Sequence, residues 1–186
     1  ILIRKLFFKF FREVFGRKDT MLNFDDKKFE EKTLAREEIF SGKIFHVVKD
    51  VVSLHDGQES FRELVFHNGG TAIAPVHNNK MILVGQYRKA LEKFIFEIPA
   101  GKLEKGEEKD PKAAALRELE EETGYLAQDL TEITAFYGTP GFSSEKTYVY
   151  FSSNLTKVEH PKPADDGEFL EQIEVTLSEA KKMIEL

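Results

Sequence analysis

The sequence predicts an α/β domain in which strands outnumber helices. Three observations carry this: apolar and polar residues alternate from about Leu34 to Arg88, a well-delimited helix covers 111–123, and strand-like segments resume after it. A chain of 186 residues is most simply one domain with an extra element, long enough to bury a core.

In chain order, "KIFHVVKDVVSL" (43–54) and "SFRELVFH" (60–67) flank the turn signal "HDGQ" and predict a hairpin. "TAIAPVHN" (71–78) and "KMILVGQYR" (80–88) follow Gly69-Gly70, with Asn78-Asn79 at the junction. "FIFEIPAGKLEKGEEKD" (94–110) runs from a short strand into a loop. Asp110 suits an N-cap and Pro111 the first helical position, while Gly124 suits the left-handed residue that closes a helix. Within 111–123, Ala114, Ala115 and Leu119 are available to pack. Segments 131–137, 146–152 and 168–176 read as strands, and "TLSEAKKMIEL" opens a last helix capped by Ser178.

Charge divides the chain unevenly. Residues 1–20 carry six Lys/Arg and two acids, a net of +4, which leaves −10 for the rest of a chain whose total is −6. An acidic body excludes general nucleic-acid binding, which needs a basic surface. The first segment places Leu6, Phe7, Phe10, Phe11, Val14 and Phe15 at helical spacing opposite Lys5, Lys9 and Arg12, a pattern for a membrane surface or a partner helix. It has no apolar run long enough to span a bilayer. The expectation is that residues 1–20 do not belong to the native folded domain, that the natural protein begins at Met21, and that membrane association arises only if residues 1–20 are native. The absence of cysteine excludes disulfides and thiolate metal sites and favours a reducing, cytoplasmic setting.

The stretch "LRELEEETGY" (116–125) concentrates charge on the helix. Glu118 and Glu122 are four apart and share a face, Glu121 lies beside them, and Glu120 points elsewhere. Three carboxylates on one strip suit Mg²⁺ or Mn²⁺. Taken alone, such a run is more often a solvated face; the flanks decide against that.

Gly101, five residues and Glu107, then Arg117-Glu118-Leu119-Glu120-Glu121-Glu122-Thr123-Gly124-Tyr125, resemble the Nudix hydrolase signature G-x5-E-x7-R-E-U-x-E-E-x-G-U, where U is bulky and apolar. One departure is that nine residues, not seven, separate Glu107 from Arg117, with the insertion at "KDPK". The resemblance implies a Nudix α/β/α sandwich with a mixed central sheet and an N-terminal antiparallel strand extension. It divides the body into a strand subdomain for dimerisation, 21–67, and a Nudix domain, 68–186. It also implies attack of water on a nucleoside diphosphate linked to another group, with two or three Mg²⁺ ions, Mn²⁺ being the alternative. Glu118 and Glu122 become metal ligands, Glu121 a further ligand or a positioner, the carbonyl of Ala100 a fourth donor, and Arg117 the orienter of the glutamates.

Outside the signature, "FEIPAGKLEKGE" and "FYGTPGFSSE" resemble the ADP-ribose pyrophosphatase branch, in which a proline sixteen residues after the signature glycine is a mark; here it is Pro140, followed by Gly141. By that resemblance Arg62 in "SFRELVFHNGG" serves the adenine side, Arg88 a phosphate, and Glu97 a ribose or a structural hydrogen bond. Glu168 is the favoured catalytic base, with Asp165, Asp166 and Glu145 as alternatives. The five histidines (His46, His55, His67, His77, His160) show no ligand spacing. The implied activity is Mg²⁺-dependent hydrolysis of ADP-ribose to AMP and ribose 5-phosphate by a homodimer joined through its N-terminal strands. The alternatives are another nucleoside diphosphate sugar, NADH, or a sensing module without catalysis.

Overall fold

The computed structural model describes residues 26–164 and 167–184; the basic segment 1–20, Met21, Asp165 and Asp166 lie outside the described residues. The described chain divides into two compact units, one holding the residues through Ala35 with Val51–Phe61, the other Arg36–Asp50 with Arg62 onward.

Strands β1 (Lys32–Ser41), β2 (Phe45–Ser53) and β3 (Glu59–His67) form a three-stranded sheet in that order. In the first unit the β2–β3 turn closes as the sequence predicts. Leu54 N donates to Gln58 O at 2.8 Å, and Gly57 takes φ +84°, which costs a residue without a β-carbon little. In the second unit Val48 and Asp50 are buried, and Arg36 donates twice to the Asp50 carboxylate, each bond 2.7 Å.

The second unit also contains a seven-stranded mixed sheet. Its order is β12 (Glu171–Thr176), β5 (Lys80–Arg88), β4 (Gly70–His77), β10 (Lys146–Ser152), β9 (Thr131–Tyr137), with β6 (Lys93–Glu97) on β5 and β7 (Ala100–Lys102) on β4. β10 runs parallel to β4, and the other pairs are antiparallel. Asn78 and Asn79 both take positive φ, 49° and 63°, the requirement of a two-residue hairpin turn whose twist matches its strands. A further two-stranded ribbon joins β8 (Tyr125–Ala127) to β11 (Leu155–Lys157).

The α/β/α layering follows from which side chains each helix covers. Helix α1 (Pro111–Thr123) buries Ala115 and Leu119 against Ile73 and Tyr150, which are cross-strand neighbours in the β4–β10 register. Helix α2 (Leu177–Ile184) buries Ala180 against Leu83 and Val175, beside Met81 and Ile173. The β5–β12 register puts those four strand residues on one face, so Ile82 and Val84, both buried, take the other.

Helix α1 has the predicted ends. The Asp110 carboxylate accepts from Ala113 N at 3.1 Å, and Gly124 sits at φ 70° with its N–H on Glu120 O. Helix α2 is capped differently from the expectation, because Leu177 and Ser178 are already helical. Thr176 Oγ1 accepts from Glu179 N at 3.3 Å while the Glu179 carboxylate accepts from Thr176 N at 2.7 Å, a reciprocal capping box that Ser178, one turn position too late, does not complete. The strand expected over 168–176 starts at Glu171, which leaves Glu168 on the preceding loop.

Candidate active site

The site is assembled where the loop after β6 meets α1. Pro99 is buried, and its carbonyl accepts from Ile73 N at 2.9 Å, which fixes the "IPAG" turn to the middle of the central sheet. Ala100 N then donates to Glu122 Oε2 at 2.9 Å. One residue on, the Glu118 carboxylate lies against Gly101 in the space that a β-carbon would need. The carboxylates one helical turn apart, Glu118 and Glu122, are therefore both seated on the Ala100-Gly101 backbone.

Arg117 organises the flank. Its guanidinium reaches Glu121 at 2.8 Å, Glu118 at 2.9 Å and Glu107 at 3.2 Å. Burial works against its charge, yet the three carboxylates win and hold its pKa above the usual arginine value. For Glu107, burial is likewise outweighed by the hydrogen bonds from Arg117 and Glu104 N, which lower its pKa. The two-residue insertion does not displace Glu107. A 3-10 turn over Glu107–Lys109 and the cap at Asp110 absorb it before the helix starts.

Glu122 has a strongly perturbed titration. Burial pushes its pKa up to about 8; the Ala100 N–H opposes this, the charges of Glu118 and Glu168 reinforce it, and Arg88 opposes it. The charges of Glu168 and Arg88 thus act on Glu122, although Glu168 is far along the chain. Arg88 in turn donates to Glu97 at 2.7 Å across the β5–β6 pair.

The donor set is one of hard oxygens. Among the described residues no three His, Cys, Asp or Glu side chains close on a single point that would hold an ion. Arg117 occupies Glu121 and one side of Glu118. The oxygens grouped where a divalent cation could be held are those of Glu118, Glu122 and the backbone of the "IPAG" turn. The seat at Gly101 fits a cation there, and the proton that burial favours on Glu122 is one that coordination would replace.

The other expected site residues lie elsewhere. Pro140 and Gly141 are exposed in the loop before β10, and this loop is pinned to β3: Val65 N donates to Phe142 O at 2.8 Å and Ser144 N to Val65 O at 2.9 Å. Glu145 lies 3.8 Å from His67 Nδ1, not on the acid strip. Arg62 is on the same strand, half-buried, three residues before Val65. The sequence reading missed two features. His67 N donates to Ser144 Oγ at 3.0 Å and so helps to pin the loop, and Lys162 reaches Glu120. Both links join residues distant in sequence, so no local pattern announces them.

Comparisons with known proteins agree with this geometry. Residues 67–185 match the NUDIX domain. Over 160 residues the chain is 51% identical to an ADP-ribose pyrophosphatase of Bacillus subtilis, covering 86% of this chain and 85% of that protein. It is 49% identical over 159 residues to a methanol dehydrogenase activator of Bacillus methanolicus, covering 85% of each. The solved structure described as an ADP compounds hydrolase superposes with a TM-score of 0.74 at 24% identity, covering 84% of each chain, which is a likeness of fold.

Proposed function

The chain belongs to the Nudix family, and from that membership we infer that it is a hydrolase that cleaves the pyrophosphate bond of ADP-ribose to AMP and ribose 5-phosphate. The observation that carries this reading is the 51% identity to an ADP-ribose pyrophosphatase along nearly the whole chain.

Nudix hydrolases use divalent metal ions, and for this chain the proposed ion is Mg²⁺, with Mn²⁺ as substitute and two or three ions per site. Glu118, Glu122 and the Ala100 carbonyl would hold it, with Glu121 as a further ligand or, as its bond to Arg117 favours, a positioner. When bound, divalent metal neutralises the pyrophosphate and lowers the pKa of water. Glu168 takes the proton of the attacking water as its oxygen bonds to phosphorus and the bridging P–O bond breaks; the action of its charge on Glu122 supports this role. Arg88, steered by Glu97, faces a phosphate of the substrate. Arg62 serves the adenine side, and Pro140, Gly141 and Glu145 shape the substrate pocket from the loop pinned to β3.

The proposed assembly is a homodimer through the strand subdomain, residues 21–67. Leu34, Ile39, Phe40 and Phe61 are each more than half exposed there, an apolar display that a second copy would cover. No helix among the described residues is long and apolar enough to cross a membrane; a cytoplasmic site is proposed from the lack of cysteine.

The test is a substrate panel with Mg²⁺: ADP-ribose, ADP-glucose, GDP-mannose, NADH and diadenosine polyphosphate, with product identification. Preferential release of AMP and ribose 5-phosphate from ADP-ribose is expected. Preference for another member would retain the metal site and discard the assignments of Arg62, Pro140 and Glu145.

A further inference from the structure

His67 stands apart from the acid strip, yet only 11% of its side chain is exposed. Its Nδ1 lies 2.9 Å from the backbone nitrogen of Gly69. That N–H can only donate, so Nδ1 holds a lone pair and the neutral ring carries its proton on Nε2. The bond runs from a side chain to the amide two residues on, as when Asn or Asp closes a turn.

Three segments meet at Gly69. It is buried, and its φ of +95° is a conformation that favours glycine. Its carbonyl accepts from Leu103 N at 3.0 Å, directly after β7, whose Lys102, Gly101 and Ala100 pair with Gly70, Thr71 and Ala72. A β-carbon on Gly69 would stand 2.7 Å from the carbonyl oxygen of Lys146, the first residue of β10. Glu145 comes just before, its carboxylate 3.8 Å from the same Nδ1. That nitrogen, already accepting from Gly69, has no proton to give it. The main chain of His67 clasps the same loop. Its N–H donates to Ser144 Oγ at 3.0 Å, and its carbonyl accepts from that hydroxyl at 3.4 Å.

We propose that His67 is a positioning residue: its Nδ1 acceptor sets the Gly69 turn that holds β7, with Ala100 and Gly101, in register with the loop carrying Pro140, Gly141 and Glu145. This role rests on the reading of Ala100 as a metal donor and of that loop as a wall of the ADP-ribose pocket. Without the acceptor, the buried Gly69 N–H loses its partner and the turn must open to find another. Opening draws Gly69 away from both Leu103 and Lys146, so β7 and the loop shift together. A ring that only filled space would need no nitrogen here.

His67→Phe and His67→Asn separate these roles. Phenylalanine keeps a ring and has no acceptor; asparagine loses the ring and offers an acceptor oxygen to the amide two residues on. His67→Phe is expected to raise KM for ADP-ribose and to weaken Mn²⁺ binding, each about three- to tenfold. His67→Asn should stay within about twofold of wild type in both. Hydrogen exchange at the Gly69 and Leu103 amides should quicken in His67→Phe alone. Ser144→Ala, which leaves the ring bond in place, should raise KM with Mn²⁺ affinity unchanged. Equal losses in the Phe and Asn variants would overturn the proposal, because packing of the ring would then be what matters. Wild-type KM and Mn²⁺ affinity in His67→Phe would overturn it as well. Should His67→Phe fail to fold, a folded His67→Asn with weakened Mn²⁺ binding and faster Gly69 exchange would overturn it too. A wild-type protein that binds Mn²⁺ but leaves ADP-ribose intact would remove the substrate reading, while Mn²⁺ affinity and amide exchange would still judge His67.

Discussion

The carboxylate of Glu118 occupies the space that a side chain on Gly101 would fill. The two residues are seventeen positions apart and belong to a strand and a helix, yet each is the shape complement of the other. The requirement for glycine here is steric, since Gly101 is not among the residues with positive φ. Gly101→Ala is therefore expected to push the Glu118 carboxylate off its seat without unfolding the domain. Activity and Mn²⁺ affinity should fall by roughly 10- to 100-fold, the range seen when a ligand loses its orienting partner, while the melting temperature in EDTA changes little. Unchanged metal affinity would mean that Glu118 relocates at no cost and is not a ligand.

Arg117 is the shared partner of Glu107, Glu118 and Glu121. A lysine keeps the charge but cannot spread three directed contacts across separated carboxylates as a planar guanidinium does. Arg117→Lys is expected to lower kcat by about 10-fold or more with the fold intact. Arg117→Met should add a drop in thermal stability, because three neighbouring carboxylates lose their counter-charge. Divalent ion should restore much of that stability, and melting curves with and without Mg²⁺ check it.

The raised pKa of Glu122 sets a pH dependence with a definite sign. Its folded value is about 8 against an ordinary 4.5, so between these limits the folded chain binds a proton that the unfolded chain has lost. Unfolding free energy must then fall as pH rises through that window. In EDTA, wild-type melting temperature should decline from pH 5 to 8 relative to Glu122→Gln, whose uncharged amide does not titrate. Metal binding should expel the same proton, and apparent affinity should rise about tenfold per pH unit below pH 8. Parallel pH profiles for wild type and Glu122→Gln would sink the assignment.

The acid helix and the spacing of its carboxylates were legible in sequence because the helix supplies its own ruler. Asp110, Pro111 and Gly124 mark its ends, and i,i+4 spacing puts Glu118 and Glu122 together. The strand order was partly legible, through alternation and the Asn78-Asn79 turn. Pairings set by tertiary packing were not. The β8–β11 ribbon is three residues on each strand, too short to show a period. The site of Glu107 depended on how a 3-10 turn absorbs an insertion. The cap of α2 depended on where the helix starts, and with Thr176 and Ser178 both suited to capping, only the placement of Glu179 decides between them. Lys162 and His67 owe their positions to loops returning from elsewhere in the chain.

Strand β1 yields the last prediction. Every residue of β1 is exposed, including Leu34 at 54% and Ile39 at 55%. A strand of ten residues exposed along its whole length is a poor stopping point for a folded chain, since apolar surface left in water costs about 25 cal/mol per Å². A second copy using the same surface would cover it by two-fold symmetry. Light scattering on the purified protein should give twice the 21.4 kDa chain mass. Leu34→Glu and Ile39→Glu, on opposite faces of β1, each place a charge where a covering partner would leave the strand dry, and should shift the protein to monomer with little loss of chain stability. If the partner's strands also complete the adenine side of the pocket, the monomeric variants should show a higher KM for ADP-ribose with their metal affinity unchanged. A wild-type protein that stays monomeric at enzyme-assay concentrations and above would refute the dimer, and the exposed face of β1 would then need another partner.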